Sequence, residues 1–367
     1  MNQYLAELKK ITDNFENYQR VDDLKQELFA FSVKINNDEK ESEKTSFKAS
    51  DKVGAIVSKF FQSGSDTESV RTGFSSFDRA IVGFQKGEFI VIGGRPGMGK
   101  TQFMIQLATN MAKQNKGVAV LSLEMSAEVI TQKLLANLGQ LSPSIFIRQT
   151  EYNDAIENEL SNAIIQLKEL PIYLYDNPSS YLNTLSNLIR KTVAENSVEV
   201  IFIDYLQLIS VGSRRLNRET EISIICRELK QLAVELGIVL IVNSQLSRQV
   251  ENRPGGAKRP QLSDLRESGA IEQDADKVIF LYRPEYYAIE VDENGNSTKG
   301  KMELILSKNR NGPMCDFNVI AAFHKSIIVD EDYLSEDIFI RTPNISMSKD
   351  RLKDFDLNTN NDLTDPF

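Results

Sequence analysis

The stretch FIVIGGRPGMGKTQFMIQ, Phe89–Gln106, joins an apolar run to a helical pattern through a glycine-rich turn. Within it, Gly94–Thr101 matches the phosphate-loop pattern G-x-x-x-x-G-K-S/T without a gap. Glycines let backbone N–H groups converge on phosphate oxygens, the lysine contacts the β- and γ-phosphates, and the threonine hydroxyl binds Mg²⁺. The stretch therefore predicts a site for ATP and Mg²⁺; a glycine-rich strand-to-helix turn without a ligand is the alternative. The predicted nucleotide-binding residues are Gly94, Arg95, Pro96, Gly97, Met98, Gly99, Lys100 and Thr101.

Six further apolar runs follow the first one, and helical patterns alternate with them. The runs are continuous, which is typical of strands buried on both faces of a sheet. We therefore predict an α/β fold with a mostly parallel sheet between helices. The seven predicted strands are FIVIGG from Phe89, VAVLSLE from Val118, PIYLYD from Pro171, VEVIFID from Val198, IVLIVNSQ from Ile238, DKVIFLY from Asp276 and MELILSK from Met302.

The composition is that of an ordinary globular protein, with 41% hydrophobic and 26% charged residues among 367. Two distant cysteines, Cys226 and Cys315, favour neither a disulfide framework nor a zinc site, so we expect a reducing compartment. The polar N-terminus and the lack of a long apolar run predict a soluble, cytoplasmic protein without a membrane segment. The net charge of -9 argues mildly against nucleic-acid binding, although local basic loops bind DNA even on acidic proteins.

Three polar side chains are predicted to complete the nucleotide site, because each lies at or just beyond the end of a predicted strand. Asp204 ends VEVIFID, where a carboxylate faces the phosphate crevice and holds Mg²⁺ together with Thr101. Glu124 follows the VAVLSL run and is the predicted catalytic base. Gln245 ends another strand, and its amide is predicted to sense the γ-phosphate. A solvent-facing strand end or an ordinary loop side chain is the alternative for each.

Lys308 and Arg310 flank Asn309 where the strand MELILSK reaches the turn signal Asn311–Pro313. Side chains two apart project from the same side of an extended segment. Such a pair of cations is suited to place positive charge beside a γ-phosphate, either in the same chain or in a neighbouring subunit. Two solvated basic residues beside a turn are the other interpretation.

Two basic loops follow the strands that carry Asp204 and Gln245. The first, Val211–Glu221, contains Arg214, Arg215 and Arg218, and the second, Arg248–Ala270, is rich in glycine, proline and arginine. Both are predicted to bind DNA and to respond to the nucleotide, because they leave strands with nucleotide-sensing residues. The predicted contacts hold the phosphate backbone without reading bases. The candidate residues are Arg214 and Arg215 in the first loop, and Arg266 with the backbone N–H groups around Gly269 in the second.

The chain divides by composition into four parts. The pattern of residues 1–48 predicts a short helical segment with a charged linker. The pattern of residues 49–71 predicts a linker helix with a flexible connection. Residues 72–345 form the predicted α/β domain, and the polar residues 346–367 predict a disordered acidic tail. The linker helix is too short to bury its apolar face alone, so it docks either on its own domain or on a neighbouring subunit.

Seven motifs occur in order between Thr72 and about Asp330, over more than two thirds of the chain. In this combination the chain resembles the RecA-like motor domain of DnaB-type replicative helicases. DLRESGAIEQDAD and SKNRNGP are the most specific of them. The full set is TGFSSFD, GGRPGMGKT, LSLEMS, IDYLQL, SQLSR, DLRESGAIEQDAD and SKNRNGP.

The resemblance implies a hexameric ring with ATP between subunits, which encircles one DNA strand, moves 5′ to 3′ and unwinds the duplex at a fork. It implies that Lys308 and Arg310 act on the ATP of the adjacent subunit, and that Arg266 and Gly269 hold the DNA backbone with Glu267 as a brace. The linker helix would pack on the neighbouring subunit. The implied setting is the cytoplasm, at the nucleoid.

One departure from the family concerns the N-terminus, where such helicases carry a globular helical domain that forms a collar and recruits primase. Only about 48 residues precede the linker helix here. This length suggests a mobile-element, phage-type or accessory helicase, and it weakens the expectation of loader and primase contacts. The C-terminal NTNNDLTDPF resembles the acidic tip of single-stranded-DNA-binding proteins, with an unstructured tail as the alternative.

Two other functions are compatible with a phosphate loop in this fold. A RecA-like recombinase binds DNA as a filament without unwinding it, and a ring ATPase of another kind acts on signalling proteins. The linker helix and the RESG segment favour the helicase over the recombinase. The basic loops at the strand ends favour it over a protein-directed ATPase.

Overall fold

The computed structural model describes residues 69–147, 153–212, 216–253, 258–265, 268–292 and 295–331. The predicted N-terminal helices, linker helix and acidic tail lie outside these residues, as do Arg214, Arg215, Arg266 and Glu267. Within the described ranges, no helix is long and apolar enough to cross a bilayer.

The helices alternate with the strands, as the sequence pattern predicts. Three of them begin at side-chain caps, with Ser126, Asn153 and Asn217 accepting hydrogen bonds from backbone N–H groups of their first turns. The α-helices of the described part are α1 (Ser75–Ile81), α2 (Lys100–Ala112), α3 (Ala127–Leu138), α4 (Asp154–Glu169), α5 (Leu182–Asn196), α6 (Arg218–Leu236) and α7 (Ser268–Asp274).

The strands form one mixed sheet in the order β3-β2-β4-β5-β1-β6-β7-β8-β9. The first six of this order run parallel to one another, and the last three pair antiparallel. All seven predicted strands are confirmed, whereas β8 and β9 were not predicted. The strands are β1 (Phe89–Gly94), β2 (Gly117–Ser122), β3 (Ile172–Tyr175), β4 (Val198–Asp204), β5 (Val239–Gln245), β6 (Lys277–Tyr282), β7 (Lys301–Asn309), β8 (Cys315–Ala322) and β9 (Ile327–Asp330).

The sheet has an apolar core on each face, which explains the continuous apolar runs. In β1, Ile90 and Ile92 belong to one core, while Phe89 and Val91 belong to the other. Helices α1, α2 and α3 contribute side chains to the first core, and α5 and α6 to the second. Each fully buried aliphatic or aromatic side chain contributes about 1.5–3 kcal/mol relative to an exposed one.

The parallel strands bring three predicted site residues to one edge of the sheet. Gly94 pairs in register with Gln245, and Ser122 pairs with Asp204. Glu124 lies two residues beyond Ser122 in the same direction. The carboxyl ends of β1, β2, β4 and β5 therefore meet at the crevice where the phosphate loop starts.

Candidate nucleotide-binding site

The phosphate loop connects β1 to α2 and depends on two glycines in the left-handed region. Gly97 has φ 81° and Gly99 has φ 96°. A Cβ atom on Gly99 would lie 2.7 Å from the Phe323 ring, so a larger residue is excluded by space as well as by conformation. Gly99 is also the N-cap of α2 and supplies no side-chain hydrogen bond there. The backbone N–H groups of the first turn are therefore suited to bind a phosphate.

Lys100 starts α2 and folds its side chain back over the loop. Its Nζ donates to the carbonyl oxygens of Gly94 at 2.9 Å and Arg95 at 3.3 Å. Burial lowers the pKa of this lysine to about 8, while the nearby carboxylates of Asp204 and Glu124 act in the opposite direction. The lysine is thus a desolvated cation beside the loop that would hold the phosphates.

A bound triphosphate is expected to raise the pKa of Lys100, because it places negative charge beside the ammonium group. With a pKa of about 8, the site should take up about half a proton per nucleotide at pH 8. Titration calorimetry in two buffers of different ionisation enthalpy measures this uptake. The Lys100→Arg variant is the control, since arginine stays protonated at this pH. Equal uptake by the wild type and the variant would contradict the assignment.

Thr101 and Asp204 place oxygen ligands beside the loop. The Thr101 hydroxyl donates to Asp204 Oδ2 at 2.9 Å, and the Asn243 amide donates to Asp204 Oδ1 at 3.0 Å. Asp204 is only 3% exposed, which excludes a solvent-facing strand end. A hydroxyl and a carboxylate are hard oxygen donors of the kind that Mg²⁺ takes together with phosphate and water oxygens. The described residues contain no cluster of three or more His, Cys, Asp or Glu side chains able to hold a metal.

Glu124 and Gln245 line the same cavity as Lys100, Thr101 and Asp204. The Gln245 side chain hydrogen-bonds to Tyr205, whose pKa is raised by burial and by the charges of Glu124 and Asp204. Gln207, which the sequence analysis did not single out, accepts from the Gln245 N–H at 3.2 Å. Glu124 is thus an exposed side chain at the cavity, and Gln245 is hydrogen-bonded to the residues that follow β4.

The cavity has a volume of about 440 Å³, and Arg283, Phe323 and Lys133 are among the lining residues that the sequence analysis did not single out. Arg283 follows β6 at the carboxyl edge; its guanidinium lies 4.4 Å from the centre of the Phe323 ring and donates to the Gly97 carbonyl at 3.3 Å. Lys133 belongs to α3. The position of Arg283 directly after a parallel strand was a usable signal. Phe323 follows β8, which was not predicted.

Lys308 and Arg310 lie near the amino ends of the parallel strands, whereas the phosphate loop lies at the carboxyl ends. The Arg310 N–H donates to the Asp276 carbonyl at 3.0 Å, and the Asp276 N–H donates to that of Phe89 at 2.8 Å. Phe89 begins β1 and Gly94 ends it, five residues or roughly 17 Å further along the strand. The pair therefore cannot reach the phosphate loop of its own chain.

Both cations of this pair point to the same side of the chain, as their spacing predicts. Lys308 Nζ donates to the Gln273 carbonyl at 3.2 Å, and the Arg310 guanidinium donates to the same oxygen. Arg310 also lies 3.5 Å from the buried Asp276 carboxylate. Both side chains therefore contact their own chain, while Arg310 stays 44% exposed.

Three other residues of the predicted sites have side chains that contact protein groups. Met98 is buried in the core beside α2, and the Arg95 guanidinium contacts Glu251 and the Leu246 carbonyl. The backbone of these two residues remains part of the loop. Arg218 begins α6, where it pairs with Glu221 and donates to the Gln207 carbonyl at 2.9 Å, so it is not a loop residue. Gly269, in α7, has open space around its Cα.

Known proteins resemble this chain in sequence and in structure. The family model of the DnaB-like helicase C terminal domain matches residues 69–328. A probable plasmid replicative DNA helicase of Chlamydia psittaci is 43% identical over 242 residues, which cover 66% of this chain and 51% of that protein. The replicative DNA helicase DnaB of Geobacillus stearothermophilus is 41% identical over 247 residues, covering 67% of this chain and 53% of that protein.

Two solved structures have the same fold. A DnaB-like replicative helicase, described together with its interactions with primase, has a TM-score of 0.77 at 30% identity and covers 90% of this chain and 75% of that one. The second structure, an isolated ATPase domain, has a TM-score of 0.71 at 32% identity and covers 78% of this chain and 99% of that one. The predicted RecA-like fold is confirmed. This chain spans about half the length of the curated relatives it matches. By the family model and these structures, it belongs to the DnaB-like helicase C-terminal domain family.

Proposed function

We propose that this protein is an ATP-driven helicase that moves 5′ to 3′ on single-stranded DNA as a hexameric ring and unwinds the duplex at a fork. One observation carries the proposal: the nucleotide cavity and the Lys308–Arg310 pair occupy opposite edges of one sheet. In such an arrangement, the pair of one copy acts only on the nucleotide of another. Relatives that are named replicative DNA helicases support the same function.

The residues of the cavity divide the chemistry among them. Backbone N–H groups of the loop and the Lys100 ammonium bind the β- and γ-phosphates, and the oxygens of Thr101 and Asp204 hold Mg²⁺. When bound, Mg²⁺ neutralises charge on the phosphates. Glu124 accepts a proton from the attacking water, which raises the nucleophilicity of that water. Gln245 contacts the γ-phosphate. When this phosphate is lost, Gln245 moves, and its hydrogen bond to Tyr205 transmits the change.

The base of the nucleotide is proposed to lie against Arg283 and Phe323. At the cavity wall the Arg283 guanidinium lies 4.4 Å from the centre of the Phe323 ring, and both groups can pack on π-systems. Such a surface is tolerant of base identity, because every base has a π-face. This part of the site therefore contributes affinity and orientation more than selectivity.

The single strand is proposed to bind the loops that follow β4 and β5, with Arg214, Arg215, Arg266, Glu267 and Gly269 at its phosphates. The two loops leave the carboxyl edge beside Asp204 and Gln245, so hydrolysis and strand movement occur close together. The DNA substrate places the protein in the cytoplasm at the nucleoid. Contacts with a loader and a primase stay predictions.

A forked duplex tests the helicase function directly. With ATP and Mg²⁺, strand separation is expected on a fork with a free 5′ tail and not on a duplex with only a 3′ tail. Electron microscopy with a non-hydrolysable ATP analogue should show closed six-membered rings. DNA-bound filaments without strand separation would instead support the recombinase alternative.

Replacing Arg266 with alanine is expected to weaken binding of single-stranded DNA equally for all base sequences, because the arginine binds a phosphate. The plot of log K against log salt concentration has a negative slope, and its magnitude should decrease by about 0.7 for each phosphate that the protein no longer neutralises. Fluorescence anisotropy with oligo(dT) and a mixed-sequence oligonucleotide measures both effects, and Arg266→Lys is the charge-preserving control. Weakening confined to one base sequence would contradict an interaction with the backbone.

A further inference from the structure

The segment Ser247–Leu265, which follows β5, is tied to the domain along its described parts. Leu246 and Leu265 form an antiparallel bridge, and the Ser247 N–H donates to the Asp264 carbonyl at 2.8 Å. Arg253 pairs with Asp264 and donates to the Arg259 carbonyl at 2.9 Å. Arg253, which lies in a basic stretch of the sequence, is therefore committed to internal contacts. The predicted DNA-binding residues of this loop begin just after Leu265, at Arg266.

Among the described residues, the Arg95 side chain of the phosphate loop forms hydrogen bonds to Glu251 in this segment and to Leu246 just before it. Its Nε and Nη2 donate to Glu251 Oε1 at 2.9 and 2.7 Å, and its Nη1 donates to the Leu246 carbonyl at 2.9 Å. The Arg95 side chain is 9% exposed, whereas that of Glu251 is 40% exposed. Two charge-assisted hydrogen bonds to one carboxylate oxygen hold the guanidinium beside Glu251. We expect movement of the loop at Arg95 to displace Glu251 with it.

The same loop residue also touches the phosphate-binding lysine. Lys100 Nζ lies 3.3 Å from the Arg95 carbonyl oxygen, and Pro96 and Gly97, the next two residues, line the nucleotide cavity. Glu251 belongs to a short 3₁₀ helix, Arg248–Asn252, whose Val250 is buried in the core together with Leu246 and Leu265. Arg95 thus contacts both Glu251, whose helix is anchored in the core by Val250, and Leu246, which bridges to Leu265.

We propose that Glu251 is a positioning residue that couples the nucleotide at the phosphate loop to the grip on single-stranded DNA beyond Leu265. This inference rests on the proposed function, because it requires that the chain binds both ligands. Coupling between two binding sites is reciprocal, so each ligand changes the affinity for the other by the same factor. Glu251 contributes to that factor without touching nucleotide or DNA.

The test is the affinity for a labelled oligo(dT), measured with ADP and with a non-hydrolysable ATP analogue. The ratio of the two dissociation constants is the coupling factor, which is typically about 5- to 150-fold for coupled sites. For Glu251→Ala we expect this ratio to approach one while the affinity for either nucleotide alone stays within about twofold of the wild type. Glu251→Gln keeps an oxygen acceptor for the guanidinium and should retain an intermediate ratio.

The matched control is Glu303→Gln, which removes another carboxylate that holds the same segment. Glu303 accepts from Arg259 at 3.0 Å and has no contact with the phosphate loop. We expect this variant to keep the coupling factor of the wild type. An equal loss in Glu303→Gln would mean that any loosening of the segment has the same effect, and would overturn the proposal.

Two further outcomes separate the inference from the function on which it rests. If the wild type shows a coupling factor and Glu251→Ala and Glu251→Gln both keep it, the inference is wrong and the proposed function stands. If Glu251→Ala fails to fold, Glu251→Gln decides, and a wild-type ratio in that variant overturns the proposal. If the wild type binds no oligo(dT) with either nucleotide, the proposed function fails first and the inference fails with it.

Discussion

The Lys100→Ala variant is expected to hydrolyse ATP at least about 10³-fold more slowly than the wild type, because it lacks the charge that binds and polarises the β- and γ-phosphates. The lysine is half-buried at the loop, and its Nζ lies within hydrogen-bond distance of two loop carbonyls. Water that replaces the side chain cannot supply a fixed cation at this position. Nucleotide affinity should fall as well, since the lysine contacts the triphosphate before hydrolysis.

Steady-state phosphate release measures this loss. Lys113→Ala is the matched control, because Lys113 is the C-cap of the same helix and lies at its far end from the phosphate loop. The control should retain turnover near that of the wild type. Turnover above a tenth of the wild-type rate in Lys100→Ala would show that another cation binds the phosphates.

A second large effect is expected for Arg310→Ala, which should lower turnover by about 10³- to 10⁵-fold, the range for arginines that stabilise phosphoryl transfer from a neighbouring chain. Its affinity for nucleotide should change little, since Arg310 stands at the far edge of the sheet from its own phosphate loop. A loss of turnover without a loss of binding is typical of an interaction made only in the transition state.

Comparison with Lys299→Ala makes this experiment specific. Lys299 is an exposed cation just before the opposite end of β7, so its loss changes the charge by the same amount without affecting the pair at the turn. Turnover of that control should match the wild type. If Arg310→Ala hydrolyses ATP at the wild-type rate, the pair has no role in the reaction of any copy.

The phosphate loop and the parallel strands could be predicted because each follows from a local pattern. Strands buried on both faces require continuous apolar runs, and the loop requires fixed residue types at fixed spacing. The positions of Asp204 and Gln245 could be predicted for the same reason, since each residue ends such a run. The catalytic roles of Glu124 and Gln245 stay predictions, although both line the cavity with Lys100.

The antiparallel edge of the sheet could not be predicted in the same way. The strand β8, Cys315–Ala322, alternates between exposed and covered positions in its first half, and β9 has only four residues. Their apolar runs, Val319–Phe323 and Ile327–Val329, are short, and both strands are only partly buried. Phe323 was missed with them, and so was the aromatic wall of the cavity that it forms with Arg283.

The contacts of several arginines could not be predicted either, because the sequence does not show which distant carboxylate a loop arginine pairs with. Arg95 lies within the phosphate loop, yet its guanidinium pairs with Glu251 of another loop. Arg218 and Arg253 lie in basic stretches but pair with Glu221 and Asp264. A count of basic residues therefore overestimates the cations available to a phosphate chain.

The most direct test of the account is the ATP turnover per chain in a dilution series, with the assembled fraction measured on the same samples by mass photometry. The site is proposed to be complete only when one copy supplies Lys100 and the next supplies Arg310. Turnover per chain should therefore follow the assembled fraction and fall to the background as the protein dissociates to monomers. Monomers that hydrolyse ATP at the full rate per chain would contradict a site shared between copies.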